Sequence, residues 1–192
     1  MQFTHLSDAE LAQALAGGQE EALEVLIHRY KDKIYTSIYM LVKDKYLAED
    51  IFQDTFLKII KTIKSGRYSE QGKFLPWAVR VGHNLCMDHF RRSRQQIPVT
   101  LPDGQDISTL FGTQETPSDG IERRQVHDSV RKLIEQLPDE QCEVVVLRIY
   151  ADLSFKEISD LTGVSINTAL GRMRYALLNL RRMIAEKQLV LR

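Results

Sequence analysis

Ser154-Phe155-Lys156-Glu157-Ile158-Ser159-Asp160-Leu161-Thr162-Gly163-Val164-Ser165-Ile166-Asn167-Thr168-Ala169 carries the sharpest structural signal in the 192-residue chain. Ser154 stands where a helix cap is needed, and Glu157, three residues on, completes a capping box. Gly163 follows, free to adopt the left-handed backbone that ends a helix. Ser165 then caps a second helix, predicted from Ile166 to Ile184. Phe155, Ile158, Leu161, Val164, Ala169, Met173 and Leu177 recur at helical spacing and are expected to pack the two helices together. A short helix, a glycine turn and a long helix form the helix-turn-helix arrangement. An ordinary helical hairpin with a basic face is the alternative; the agreement of cap, turn and core spacing favours the former.

In that arrangement the start of the second helix enters the major groove. Asn167, Thr168, Leu170, Gly171, Arg172, Arg174 and Tyr175 lie near it. Asparagine suits adenine, arginine suits guanine or phosphate, and an apolar side chain suits a thymine methyl. Lys156 and the helix start at Ser165 are placed to grip the DNA backbone. Arg181 and Arg182 come later and face phosphate or solvent.

Outward from this motif the chain reads as helix almost throughout. Leu23, Leu26, Ile27, Tyr30, Ile34, Ile38 and Leu41 form an apolar face at spacings of three and four over Glu21–Leu41, and Ala48–Ile63 repeats the pattern. Ser7 and Asp8 are cap candidates for a first short helix. Asp50, Gln53, Asp54 and Leu57 share one face of the Ala48–Ile63 helix, away from Ile51, Phe52, Phe56 and Ile59. That stripe could dock a basic partner; a solvated face is the alternative. Ser65-Gly66 ends the helix. A further helix is predicted from Phe74 to about Arg94, with Pro76 in its first turn, where a missing N–H costs little. It interleaves aromatics with Arg80, Asn84, Asp88, Arg91 and Arg92, a mixture suited to stacking on bases while holding phosphate. Trp77 and Phe90 serve equally well as core.

The zero net charge conceals segregation. Residues 1–60 hold 6 Lys/Arg against 10 Asp/Glu, residues 61–96 hold 8 against 2, residues 97–122 hold none against 5, and residues 123–192 hold 12 against 9. Basic blocks attract polyanions through counterion release, although charge runs are often only solvated faces. Residues 97–120 carry Pro98, Pro102 and Pro117, three glycines and no base, and read as a flexible acidic linker. Local structure around Leu110-Phe111 is allowed within it. The expected fold is therefore all-α: two small helical domains, 1–96 and 121–192, joined by that linker, the second ending in the helix-turn-helix. No apolar run approaches the roughly 20 residues of a membrane span. Met1 to Ala16 lacks the basic start and apolar core of a signal peptide. The two distant cysteines, Cys86 and Cys142, suggest no disulfide framework and fit a reducing cytoplasm.

Taken together these motifs resemble the extracytoplasmic-function (ECF) group of bacterial RNA polymerase sigma factors. Ala48-Glu49-Asp50-x-x-Gln53-Asp54-x-Phe56 resembles the helix with which that family binds the polymerase clamp. Phe74-x-x-Trp77 through Asn84, Asp88, Arg91 and Arg92 resembles its promoter-melting helix, and Leu137-Pro138 through the helix-turn-helix its second conserved domain. The resemblance covers nearly the whole chain in order, leaving the linker unmatched. It implies that the first domain binds the β′ clamp helices of core RNA polymerase through Asp50, Gln53, Asp54 and Leu57. It implies that Phe74, Arg80, Asn84, Asp88, Arg91 and Arg92 contact the −10 element, with loop Arg67–Phe74 holding a flipped base and Asn84 at its pocket. The second domain then reads the −35 element near the β flap through Lys156, Ser165, Asn167, Thr168, Leu170, Gly171, Arg172, Arg174 and Tyr175. The linker threads toward the active-site channel, and an anti-sigma factor is a further partner. Many family members carry Lys or Arg and then Ser where this chain has Leu170 and Gly171, so the promoter preference does not carry over.

Other readings are weaker. A plain helix-turn-helix regulator, or a helical adaptor such as an anti-sigma factor, would share part of the pattern. His83-x-x-Cys86-x-x-His89 has the flavour of a metal site, but His89 drifts off the shared face and zinc wants four ligands. There is no nucleophile motif and no phosphate-cradling glycine loop; no enzyme activity, metal or cofactor is expected.

Overall fold

The computed structural model describes residues 3, 5–68, 73–96 and 129–187, with side chains placed to residue 93 in the 73–96 segment. Among these every regular element is a helix. They are α1 (Asp8–Ala16), α2 (Glu21–Val42), α3 (Lys45–Lys64), α4 (Phe74–Gln96), α5 (described over 129–135), α6 (Asp139–Ile149), α7 (Phe155–Thr162) and α8 (Ile166–Glu186). The all-α fold expected from the sequence is observed. The proposed linker, Leu110-Phe111 within it, and the restart of periodicity at Ile121 lie outside the described residues.

Local chemistry accounts for the helix boundaries. Ser7 caps α1 with a full capping box: its Oγ accepts from the Glu10 N–H, and Glu10 Oε2 accepts from the Ser7 N–H at 2.7 Å. Asp44 caps α3 by accepting from the Leu47 N–H at 2.9 Å. Lys43, at φ 55, takes the left-handed conformation that breaks α2 from α3. The start of α1 is tied to α2 by Asp8, which accepts from Arg29 at 2.8 Å and from the Tyr30 hydroxyl at 2.6 Å.

Helices α1 to α4 bundle around Leu11, Leu15, Leu26, Ile34, Ile38, Ile59 and Phe74, each 0–1% exposed. Each such side chain contributes roughly 1.5–3 kcal/mol of burial. Where α4 crosses α2 and α3 it does so at Gly82: a Cβ there would stand 3.2 Å from Ile38 Cδ1 and 3.3 Å from Thr55 Oγ1. Ile51, Phe56 and Ile59 turn inward while Asp50, Gln53, Asp54 and Leu57 are exposed, as the spacing in α3 predicts.

The core does not stop at α4. It continues into Val144, Leu147, Leu153, Ile158 and Ala169. Met40 of α2 is fully buried in a second cluster made by Ile134, Leu137, Cys142, Val145, Val146 and Ala176. Helix α2 thus packs on α6 as well as on its own bundle. The two halves form one packed body.

Candidate nucleic-acid interface

The helix-turn-helix is built as its sequence requires. Ser154 Oγ accepts from the Glu157 N–H at 3.2 Å, and Glu157 Oε2 accepts from the Ser154 N–H at 2.8 Å. Gly163 ends α7 in the left-handed region at φ 70, with its N–H donating to the Ser159 carbonyl at 3.0 Å. Ser165 caps α8 by accepting from the Thr168 N–H at 3.0 Å. Arg148 braces the unit from α6, donating to the Leu153 carbonyl at 2.9 Å while its guanidinium lies 5.6 Å from the centre of the Phe155 ring. Ile158 and Ala169 are fully buried, and Phe155, Leu161, Val164 and Met173 pack partly against them. One expected core residue is corrected. Leu177 is 43% exposed, and fully buried Ala176 takes its place. The inward side of α8 runs Ala169, Met173, Ala176, at intervals of four and three; Leu177, one residue further, is rotated off it.

Ser165, Asn167, Thr168, Leu170, Arg174 and Tyr175 are exposed together on the first half of α8, with Lys156 exposed at the start of α7. Leu170 is 43% and Tyr175 62% exposed. Gly171 is half-buried, yet a Cβ on it would meet nothing within 4 Å. Arg172 differs from this group: it is turned toward Glu143 of α6, 3.8 Å away.

The start of α4 makes a second constellation. Arg67, Tyr68, Lys73, Pro76, Trp77, Arg80 and Glu157 line a cleft of about 260 Å³. That is just under the roughly 300–1,000 Å³ of pockets for drug-sized ligands, which suits one planar base. Tyr68 and Trp77 stand with ring centroids 4.2 Å apart, and Phe74 lies beneath both. Phase along the helix separates their roles. Phe74 is 1% exposed, in contact with the Tyr30, Tyr68 and Trp77 rings. It is a core residue that supports the cleft, and its expected contact with DNA is corrected on that ground. Asn84 is exposed and is not among the residues that line this cleft; the expected pocket at Asn84 involves loop 67–74, of which residues 69–72 lie outside the described residues. Asp88 pairs with Arg91 one turn on, and Arg91 and Arg92 are exposed. Tyr68 and Lys73 lie in the loop 67–74 expected to hold a flipped base, though the sequence singled out neither; the aromatic-cation mixture of α4 begins before the helix does.

The cations of the cleft are answered from the other half of the chain. Glu157 Oε1 lies 3.0 Å from Lys73 Nζ and 3.7 Å from Arg80 Nη2. The Glu157 carboxyl is pushed down to about 2, first by the Ser154 hydroxyl and N–H and then by Lys73. His83, buried in α4, has Nε2 at 2.9 Å from Glu143 Oε1; the carboxylate only accepts, so Nε2–H donates, and Nδ1 is left without a hydrogen-bond partner. Cys86 is buried and its thiol pushed up to about 12 by that burial. A thiol held protonated is a poor metal ligand. His89 contacts Ser93 instead, at 3.3 Å. Among the described residues no cluster of three His, Cys, Asp or Glu side chains is placed to hold a metal. Nor is any described helix long and apolar enough to cross a membrane.

Two families match the chain, in the order in which the two constellations occur. Sigma-70 region 2 matches residues 26–96, and Sigma-70, region 4 matches residues 127–180. The RNA polymerase sigma factor CarQ of Myxococcus xanthus is 30% identical over 172 residues, covering 90% of this chain and 94% of CarQ. The chain belongs to the ECF group of sigma-70 RNA polymerase sigma factors. The ECF RNA polymerase sigma factor BldN of Streptomyces coelicolor is also 30% identical, over 155 residues, but this sigma factor spans only 57% of BldN's length. The solved sigma factor RpoE in complex with the anti-sigma factor NepR from Bartonella quintana shares the fold, with a TM-score of 0.61 at 16% identity over 85% of this chain and 96% of RpoE. A transcription initiation factor with a DNA-binding region 4 is thus the class of this protein, and no catalytic family is indicated.

Proposed function

We propose that this sigma factor binds core RNA polymerase, directs it to specific promoters and promotes melting of the DNA there. The observation that carries the reading is the Tyr68–Trp77 pair, 4.2 Å apart and flanked by Arg67, Lys73 and Arg80. Aromatic rings beside cations are what capture of an unpaired base requires, because every base has a π-face and every nucleotide a phosphate. Residues 1–96 then supply polymerase binding and −10 capture, and residues 121–192 supply −35 reading. Core polymerase docks its β′ clamp helices on the exposed Asp50, Gln53, Asp54 and Leu57 stripe of α3. Arg80, Asn84, Asp88, Arg91 and Arg92 line the path of the melted strand along α4, with Arg67, Tyr68, Lys73 and Trp77 added to them. The exposed start of α8, with Lys156 and Ser165 on the backbone, enters the major groove at the −35 element near the β flap. The relative bound to NepR supports an anti-sigma factor as a regulatory partner.

Run-off transcription tests the reading. Core polymerase with the purified chain initiates from genomic promoter fragments that core alone leaves silent. Replacing Trp77 by Ala lowers open-complex yield, read by permanganate reactivity of unpaired thymines, while leaving core binding intact. A chain that neither binds core nor changes its initiation sites sinks the proposal.

A further inference from the structure

We propose that Glu157 of the helix-turn-helix is an internal occupant of the Tyr68–Trp77 cleft, so that the closed chain excludes single-stranded DNA until its two halves separate. The inference rests on the strand-capture reading of the cleft and adds how that same site is regulated.

Glu157 uses its two oxygens for different tasks. Oε2 accepts from the Ser154 N–H at 2.8 Å and from the Ser154 hydroxyl at 2.7 Å, closing the cap of its own helix. Oε1 crosses to the other half, where it lies 3.0 Å from Lys73 and 3.7 Å from Arg80. An anionic oxygen held between a lysine and an arginine, beside two aromatic rings, occupies the place a backbone phosphate would take. With 19% of its side chain exposed, Glu157 is largely withdrawn from water. Glu157 and a strand phosphate cannot both fill that place.

The same closure also ties α4 to α6. Glu143 holds His83 of α4 at 2.9 Å and Arg172 of α8 at 3.8 Å, linking the two DNA-facing helices through one carboxylate. Lys43 reaches Asp139 at 3.0 Å, and the Cys142 thiol donates to the Met40 carbonyl at 3.6 Å. A chain that reads two promoter elements at once must release the contacts that cross between the halves, those of His83, Lys43 and Cys142. Apparent affinity for the strand is therefore the intrinsic affinity reduced by the fraction of open chains. By reciprocity, a captured strand favours the open form.

Glu157→Gln separates the two tasks, because glutamine still completes a capping box but offers no charge to Lys73 or Arg80. The full-length chain is titrated into a fluorescein-labelled single-stranded DNA of mixed sequence, about 12 nucleotides long, and anisotropy is followed. A second readout is the distance between spin labels on Lys58→Cys and Arg181→Cys, both exposed, in a Cys142→Ala background, because Cys142 lies between the halves and opening would uncover it, while Cys86 is buried. The substitution is expected to tighten strand binding by about twofold to fivefold and to broaden the label distances outward. Adding strand to the unsubstituted chain shifts the distances the same way. Equal, measurable affinity in both chains overturns the exclusion and leaves the cleft reading standing. Binding by neither chain overturns the cleft reading itself. If circular dichroism shows Glu157→Gln to be misfolded, Glu143→Ala carries the test, since it removes the oxygens that hold His83 and Arg172 without touching the cleft.

Discussion

Two glycines in long helices make opposite statements. At Gly82 a methyl group would press on Ile38 at 3.2 Å and Thr55 at 3.3 Å, and both neighbours are buried to 1% exposure or less. Gly82→Ala should therefore destabilise the fold by about 1–3 kcal/mol, overpacking outweighing the better helix propensity of alanine. At Gly171 the same methyl meets nothing within 4 Å, so Gly171→Ala should stabilise by about 1 kcal/mol. Urea titrations of the two variants should move the midpoint in opposite directions; a loss of stability at position 171 would contradict the open space seen there. Glu157 gives a third expectation, in pH. Its carboxyl sits at about 2, below the ordinary value of 4.5, chiefly because Ser154 donates to the charged form. A depressed carboxyl contributes its stabilisation fully above its unfolded value, and loses it as pH falls through the folded value. The stability gap between the unsubstituted chain and Glu157→Gln should thus be full above about pH 4.5 and shrink toward pH 2. A gap that stayed constant across that window would remove the ionised cap from the account.

Helix α3 shows how one element serves two bodies at once. Ile51, Phe56, Ile59 and Ile63 bury its inner side, while Asp50, Gln53, Asp54 and Leu57 stand exposed on another, Leu57 at 59%. Because the two sets share no side chain, Asp50→Lys with Asp54→Lys should leave the melting temperature within a few degrees and weaken core polymerase binding by at least about tenfold, since like charge facing a basic docking surface repels it. Surface plasmon resonance against immobilised core polymerase measures it, and unchanged affinity would take the clamp face off α3. This division was legible in the sequence because helical periodicity is local: α2 was expected over Glu21–Leu41 and is found over Glu21–Val42. The caps at Ser7, Ser154 and Ser165 were legible for the same reason, each lying within three residues of the group it satisfies. The roles of Phe74 and Leu177 were not. Burial turns on small rotations about the helix axis, set by partners far away in sequence. The cleft was half legible: Trp77 and Arg80 lie in a visible pattern, whereas Tyr68 precedes the helix and Glu157 arrives from 84 residues beyond Lys73.

Magnitudes decide what holds the two halves together. The ion pairs Lys43–Asp139 and Lys73–Glu157 each keep one side chain largely in water, with 93% of Asp139 and 62% of Lys73 exposed. Such pairs are worth about 0–1 kcal/mol each and weaken with salt. Met40 contributes on a different order. It projects from α2, fully buried, into a cluster whose other members all lie between Ile134 and Ala176. Removing a buried methionine side chain costs about 2–5 kcal/mol, and here the loss falls on the contact between the halves. Met40→Ala should therefore open the chain more than Glu157→Gln, and more than raising salt does. Small-angle scattering should show a larger radius of gyration for Met40→Ala at unchanged far-ultraviolet helicity, because each half keeps its own inner residues, Leu26 and Ile59 in one and Ile158 and Ala169 in the other. Strand binding to the same variant should tighten in step with the expansion, since an open chain leaves the Tyr68–Trp77 cleft without its carboxylate. A Met40→Ala chain that stayed compact while losing stability would place Met40 in the support of one half alone, and would leave closure to the charged contacts after all.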